Sequence, residues 1–331
     1  MLLNQCVTDG VVKFSPRVDW SIFTFHAGID TIHVNVEFET EMHTNRARPL
    51  IKSQVGDSAK VISANVTDRK FSVSIQDPTP LNLHKLCNIA EVQIDRVDIA
   101  LDLKGGDKKR LLEAVQGLAW MLNITNLGMD STTANPRTFE DDAVSTFWQT
   151  GCRIGVSPLP QSPTYYFGHR NAPGSVRIYH KTMNEGQLLS ADLHSARIEV
   201  TLAGDLLIEY GLDKISGFDS AQLSLLRQLF RFKLPIIRES FIEHSVTKVI
   251  FQEHLEPYLQ VGVWYWDNKP RTRKRARRSE GTMRDLPHRR SQSFIELHKR
   301  VDKAFRRFEK RWLKGSVPII SPPLRPQSYD L

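Results

Sequence analysis

Hydrophobic and polar residues alternate along several segments of the chain, a period of two that is typical of β-strands. The segments are TIHVNVEFET, KVISANVT, KFSVSIQ, VQIDRVDIALDL, TYYFG, SVRIYHK and SARIEVTL. PLNLHKLCNIA and DKKRLLEAVQGLAWMLNI instead carry apolar residues three and four positions apart, which predicts helices. The pattern therefore predicts an α+β fold, mostly an antiparallel sheet with helices packed on one face and an open polar face.

After Gly204 the apolar spacing becomes helical, and SFIELHKRVDKAFRRFEKRWLK near the end is a strongly basic amphipathic pattern. We predict that its apolar face packs on the body and that its Lys/Arg face is exposed. The predicted organisation is a catalytic α+β domain over 1–205 and a helical extension over 206–260. A basic, DNA-binding linker and helix over 261–315 and a flexible Pro-rich tail over 316–331 follow.

The net charge of +8 is concentrated at the C-terminal side. Residues 269–290 carry ten Lys/Arg against two acids, and residues 293–314 carry eight against three, so the preceding body is mildly acidic. This asymmetry favours a polyanion-binding segment on a folded body, with a solvated linker as the alternative. The residues predicted to contact DNA in the linker are Lys269, Arg271, Arg273, Lys274, Arg275, Arg277 and Arg278.

Several classes of protein are disfavoured by what the sequence lacks. Its three cysteines form neither a zinc spacing nor a disulfide framework, and it contains no GxxxxGK[ST] or GxSxG motif. No apolar run is long enough to span a membrane, and the N-terminus does not resemble a signal peptide. The sequence therefore predicts a cytoplasmic protein with no membrane partner.

Three of the predicted strands each place a set of polar residues on one face. The sets are Arg96, Asp98 and Asp102 in RVDIALD, Arg177, Tyr179 and Lys181 in VRIYHK, and Arg197, Glu199 and Thr201 in RIEVT. Carboxylates on rigid strands suit Mg²⁺ or Mn²⁺, and the cations beside Tyr179 are expected to favour its phenolate and to hold a phosphate. The alternative is a solvated sheet face with cross-strand ion pairs.

The order RVDIALDL, TYYFGHR, VRIYHK and ARIEVTL resembles the Rep_trans family of replication initiators. That family includes rolling-circle plasmid initiators, relaxases of some integrative conjugative elements and replication proteins of filamentous phages. The early segment RVDWSIFTF also resembles the opening of that family, and the resemblance spans about residues 18–204.

The resemblance implies a DNA nickase whose tyrosine attacks a phosphodiester, becomes linked to the 5′ phosphate and frees a 3′-OH primer. Tyr179 matches the nucleophile and Lys181 the motif lysine, with Arg177 and Arg197 beside them. Asp98 and Glu199 match the acids assigned as ligands of Mg²⁺ or Mn²⁺, with Asp102 as a further candidate. His169 and Arg170, which follow TYYFG, are predicted DNA contacts.

The chain departs from the family pattern at His180, where members often carry an acid, and at His169, where they often carry Ser. The predicted partners are double-stranded origin DNA with a hairpin or locally single-stranded site, a host helicase and replication machinery, and a second copy of the chain. A conjugative relaxase with the same chemistry and a non-catalytic DNA-binding regulator on the same scaffold are the alternative functions.

Overall fold

The structure, a computed structural model, describes residues 3–57, 59–63, 65–127, 129, 137–140, 143–145, 164–169, 172–184, 187–220, 223–239, 262–263, 266 and 290–315. The predicted α+β class with mostly antiparallel strands is confirmed. None of the helices in these ranges is both long and apolar enough to cross a membrane.

Strands and helices are interspersed along the chain. The strands are β1 (Leu3–Thr8), β2 (Val11–Pro16), β3 (Thr24–His43), β4 (Lys60–Ile62), β5 (Thr67–Gln76), β6 (Glu91–Lys104), β7 (Arg137–Glu140), β8 (Ala143–Ser145), β9 (Thr164–Phe167), β10 (Val176–Lys181), β11 (Met183–Asn184), β12 (Gln187–Leu188), β13 (Ser195–Ala203), β14 (Lys233–Arg238) and β15 (Arg290–Ser293). The helices are α1 (Thr44–Val55), α2 (Pro80–Cys87), α3 (Lys108–Met121), α4 (Asp205–Glu209), α5 (Gly217–Ser220) and α6 (Ile295–Gly315). Short 3₁₀ helices cover Trp20–Ile22, Ile124–Leu127, Ala191–Leu193 and Leu223–Leu229.

Nine strands form one antiparallel sheet in the order β4-β5-β3-β6-β13-β10-β9-β7-β8. Strand β13 lies between β6 and β10, so the three strands that carry the polar sets are immediate neighbours. Because facing residues in adjacent strands share a face of the sheet, this order brings the three polar sets together.

The opposite face of this sheet is the hydrophobic core. Val97, Ile99 and Leu101 of β6 and Ile198 and Val200 of β13 are fully buried. Helix α3 packs on β6, β10 and β13, and α6 packs on β3. Helices therefore cover one face and leave the polar face open, as the alternation predicts.

Two helices begin at the residues that the sequence favours. Pro80 is the first residue of α2, and Thr79 and Asn82 satisfy each other's backbone N–H groups in a capping box. The Asp107 side chain accepts a hydrogen bond from the Arg110 N–H at 2.8 Å, which caps α3. These caps fix where the chain enters the helical layer.

Within the predicted helical extension over 206–260, the described residues 206–220 and 223–239 are less helical than predicted. Lys233–Arg238 is the strand β14, and it pairs with β2 and β15 in a second, four-stranded sheet of order β1-β2-β14-β15. Pro235 explains part of the difference, because proline lacks the N–H that a helix interior requires. This sheet joins strands from three of the predicted segments, and the boundaries at 205, 260 and 315 stay predictions.

Other predictions fall on residues outside the described ranges. These are the DNA contacts Arg170, Lys269, Arg271, Arg273, Lys274, Arg275, Arg277 and Arg278, and the tail over 316–331.

Candidate active site

The polar face is built from cross-strand rows of facing residues. Tyr179 of β10 faces Arg197 of β13, which in turn faces Asp102 of β6. In the adjacent row, Arg177 of β10 faces Glu199 of β13. The sheet therefore brings together all three polar sets that the sequence predicts.

Arg197 is the centre of this face, with a side chain that is only 9% exposed. Its Nε donates to Asp102 Oδ1 at 2.7 Å and its Nη2 to Asp102 Oδ2 at 2.6 Å, a bidentate pair. Its Nη1 donates to Asp30 Oδ1 and, at 3.4 Å, to Glu199 Oε1. One guanidinium thus orients three carboxylates from three different strands.

Asp102 is held ionised by these contacts. Burial alone raises the pKa of Asp102, but the hydrogen bonds and charge of Arg197 outweigh burial and leave the pKa below its usual range. Ser195 Oγ also donates to Asp102 Oδ1, at 2.7 Å. Both oxygens of this carboxylate are therefore already bonded within the protein.

Asp30 is a site residue that sequence reasoning missed. In β3, Ile29 faces Ile99 and Thr31 faces Asp98, so Asp30 is the extra residue of a β-bulge. The bulge turns Asp30 toward Arg197, and Lys181 Nζ lies 3.9 Å from Asp30 Oδ1. The sequence does carry a signal for this bulge, because the apolar residues of β3 occupy odd-numbered positions up to Ile29 and even-numbered positions from Ile32 onward.

Tyr179 donates a hydrogen bond from its hydroxyl to Glu199 Oε1. The guanidinium carbon of Arg177 lies 4.7 Å from the centre of the Tyr179 ring, and Arg177 Nε donates to Glu199 Oε2 at 2.9 Å. Glu199 is thus bonded on one oxygen to the phenol and on the other to Arg177. This is the arrangement of a nucleophile next to a base that a third group orients.

The proton of Tyr179 is held rather than released. Burial raises the pKa of Tyr179 above its usual value, and the Glu199 carboxylate raises it further, against the smaller lowering effects of Arg177 and Arg197. Arg177 does lower the pKa of Tyr179, as the prediction that the flanking cations favour a phenolate requires, but this effect is the smaller one. Burial and the facing carboxylate dominate, and Lys181 points its ammonium toward Asp30 instead.

Asp98 of β6 faces Thr201 of β13, in the row next to that of Arg177 and Glu199. Its Oδ1 accepts a hydrogen bond from Thr201 Oγ1 at 2.8 Å, and its Oδ2 lies 3.7 Å from His33 Nε2 and 3.8 Å from Arg96 Nε. Burial raises the pKa of Asp98, but the bonds from His33 and Thr201 and the charge of Arg96 lower it below the usual range.

A cleft opens over this end of the polar face. Its lining includes Arg96, Asp98, Tyr166, Arg177, Glu199 and Thr201. Asp98 and Glu199 therefore face one shared space, with an arginine beside each carboxylate. Asp102 does not line this cleft.

The donors around the cleft fit Mg²⁺ or Mn²⁺ in kind, because both ions prefer carboxylate oxygens. Ala100 separates Asp98 from Asp102 along β6 and faces Gly28, where an added Cβ would meet no atom within 4 Å. There is thus open space above β3 at Gly28, beside Ala100. Among the described residues, no cluster of three or more His, Cys, Asp or Glu side chains has metal-binding geometry.

The two histidines that depart from the family pattern lie away from the tyrosine hydroxyl. His180 faces Ala196 on the α3 side of the sheet, and its ring lies 5.2 Å from that of His194. Burial and the charges of His194 and Lys108 lower the pKa of His180. It therefore does not replace a missing acid on the polar face. His169 is exposed in the turn after β9.

No protein-family model matches this chain, and no curated protein matches it. A solved structure that does match is described as a rolling-circle replication initiator protein from Geobacillus stearothermophilus. The two chains are 16% identical, the match covers 63% of this chain and 87% of that chain, and the TM-score is 0.34. At these values the match does not assign an activity, and the resemblance to the Rep_trans family stays a prediction.

Proposed function

We propose that this chain nicks and rejoins DNA to initiate rolling-circle replication, with Tyr179 as the nucleophile. The observation that supports the proposal most strongly is the hydrogen bond from the Tyr179 hydroxyl to Glu199. A solvated face of ion pairs needs no such bond, whereas a nucleophile that stays protonated at neutral pH requires a neighbouring base.

In the proposed reaction, the Tyr179 oxygen attacks a phosphodiester while its proton passes to Glu199. The bond from phosphorus to the 3′ oxygen breaks, the 3′ oxygen takes up a proton, and the 5′ phosphate remains on Tyr179. Reversal, with a 3′-OH as the nucleophile, rejoins the strand. The phosphotyrosyl bond conserves the energy of the phosphodiester, so no nucleotide cofactor is needed.

The cations around Tyr179 stabilise the charge that develops on the phosphate. Arg177 is 41% exposed, so its guanidinium can contact a bound strand while it holds Glu199. Lys181 shares the face of Tyr179 and is held by Asp30. Arg197 is buried and bonded to three carboxylates, and we assign it the role of positioning them.

Asp98 and Glu199 are the residues that we propose to hold Mg²⁺ or Mn²⁺, since both line the cleft. A divalent metal there supplies charge that polarises a phosphodiester. Asp102 suits this role less well, because it does not line the cleft.

Incubation with supercoiled origin DNA and Mg²⁺ or Mn²⁺, followed by mapping of a covalent adduct, tests the proposal. We expect an adduct on Tyr179 and no nicking by Tyr179→Phe, which should still bind DNA. The matched control is Tyr165→Phe, the same substitution at a buried residue of β9 that faces the core. Normal nicking by Tyr179→Phe would refute the tyrosine mechanism, and wild-type binding without cleavage would make the chain a DNA-binding regulator.

Origin DNA with a hairpin or locally single-stranded site is the substrate that we propose. A host helicase, a second copy of the chain and a cytoplasmic location complete this proposal.

A further inference from the structure

Helix α6 presents a continuous row of cations to solvent. The exposed residues are Lys299, Lys303, Arg306, Arg307, Lys310 and Lys314. Their spacing of three, four and seven residues places them on one side of the helix, and fifteen residues of helix span about 22 Å. We refer to these six residues as the basic face of α6.

The other side of α6 is fixed to the body. Leu297, Phe305 and Trp312 are buried, and Trp312 Nε1 donates to the Phe218 carbonyl at 3.1 Å. The cations therefore project from a rigid element. Because most of the apolar side is covered and only Ile295 and Leu313 are exposed, near the two ends of the helix, α6 has no continuous apolar face to insert into a lipid headgroup layer, as interfacial helices do.

The acids of α6 do not neutralise this face. Asp302 pairs with Arg227 at 3.3 Å, and Glu309 accepts a hydrogen bond from the Ser224 N–H at 3.1 Å. Glu296 pairs with Arg300 within the helix. Within the part of the chain that the structure describes, no residue of the basic face forms an ion pair with a carboxylate.

The C-terminal part of α6 contacts the first part of β3. The first part of β3 pairs with β6 on one side but has no strand partner on the other among the described residues, and Arg311 Nη2 donates to the Ala27 carbonyl there at 2.9 Å. The adjacent residue, His26, faces Asp102. The contact of Arg311 with Ala27 anchors α6 to the strand that supplies Asp30 to the polar face.

We propose that the basic face of α6 binds the phosphate backbone of double-stranded DNA. The choice of DNA as the partner rests on the proposed function, to which this inference adds a binding surface outside the candidate active site. Duplex DNA carries about one charge per 1.7 Å of its axis, so a row of about 22 Å can meet several phosphates at once. Lys and Arg contacts of this kind position a duplex without reading its sequence.

The test replaces three cations of the basic face in one variant, Lys303→Gln/Arg306→Gln/Lys310→Gln. Glutamine has a helix propensity close to those of Lys and Arg, so α6 should stay folded, which circular dichroism can check. Binding to a short DNA duplex of arbitrary sequence is measured over a series of salt concentrations. We expect the salt slope to fall by about 2.7, roughly 0.9 per lost phosphate contact, and the affinity near 0.1 M salt to fall roughly 100-fold.

The matched control is Arg46→Gln/Arg48→Gln/Lys60→Gln, which removes the same charge from exposed residues of α1 and β4 that lie outside the basic face. This variant should keep the wild-type slope. An equal loss in both variants would mean that net charge alone drives binding, and an unchanged slope in the α6 variant would show that the face does not contact DNA. Either result overturns the inference.

Two further measurements separate this inference from the proposed nicking. Nicking of a single-stranded oligonucleotide by the wild type is measured separately from duplex binding, so failure of the wild type to nick refutes only the proposed nicking. Binding is also measured on anionic lipid vesicles and on an RNA duplex. Loss of vesicle or RNA binding with unchanged DNA binding would assign the face to that other partner and overturn the inference.

Discussion

The carboxylate of Glu199 can be tested as a base by replacing it with an amide. Glu199→Gln keeps the size of the side chain and its ability to accept a hydrogen bond from Tyr179, but it removes the group that takes the proton. The Tyr179 hydroxyl donates directly to this carboxylate, so proton transfer between them requires no bridging water. We expect the variant to nick DNA about 10²–10⁴-fold more slowly, the range that a positioned base contributes.

The pH dependence gives a sharper result than the rate alone. Burial and the Glu199 charge raise the pKa of Tyr179. Removing the Glu199 charge removes part of this increase in the pKa of Tyr179, but even an unperturbed phenol titrates at about pH 10. In Glu199→Gln the reaction depends on the small fraction of phenolate, so the rate should rise about tenfold per pH unit between roughly pH 7 and pH 9. With the base in place, the wild-type rate should be nearly independent of pH over the same range.

Single-turnover nicking of a labelled oligonucleotide across pH measures both quantities. Because Glu199 is also a proposed metal ligand, each variant is titrated with Mn²⁺. Recovery of the wild-type rate at high Mn²⁺ would show that Glu199 serves the metal and not the proton. A wild-type pH profile in Glu199→Gln would likewise refute the role as a base.

Two predictions concern the stability of the polar face. Arg197→Gln should lower the free energy of unfolding by about 3–5 kcal/mol, because it leaves Asp30 and Asp102 without their shared partner. Chemical denaturation measures this free energy. A loss below about 1 kcal/mol would show that the buried carboxylates find other partners. Asp102→Asn should lose a smaller amount, about 2 kcal/mol. Because the folded pKa of Asp102 is lowered, its contribution is present above about pH 4 and is lost as the pH falls below that value. The stabilities of the variant and the wild type should therefore converge in acid, and a constant difference down to about pH 2 would contradict this account.

The alternating strands could be predicted from the sequence because burial on one face imposes a strict period of two. The buried residues of RVDIALD and RIEVT identify the core side, and the alternation then fixes where Asp102, Glu199 and Tyr179 point. The same rule correctly places His180 on the opposite face from Tyr179. These inferences need only the local chain and one apolar layer.

Asp30 and β14 were beyond this reasoning because each depends on distant residues. A β-bulge breaks the period, and the role of Asp30 becomes evident only once Arg197 is known to face it from another strand. Strand β14 forms because Ile236 and Ile237 meet β2, more than two hundred residues earlier in the chain. The pairing of β14 leaves no local signature strong enough to override the helical spacing around it, whereas at Asp30 the only local signal is the shift of the apolar positions in β3 from odd to even numbers.

The direction of the pKa shift at Tyr179 also follows from three-dimensional contacts rather than from neighbours in sequence. Arg177 and Lys181 flank the tyrosine in the chain, but Arg177 bonds to Glu199 and Lys181 points toward Asp30. Each cation near the phenol is thus neutralised by a carboxylate, and burial decides the shift. The hydroxyl of Tyr179 is thus kept protonated and is held against Glu199. In the proposed reaction, Glu199 accepts this proton only as a bound phosphodiester is attacked, so we expect Tyr179 to stay protonated between reactions.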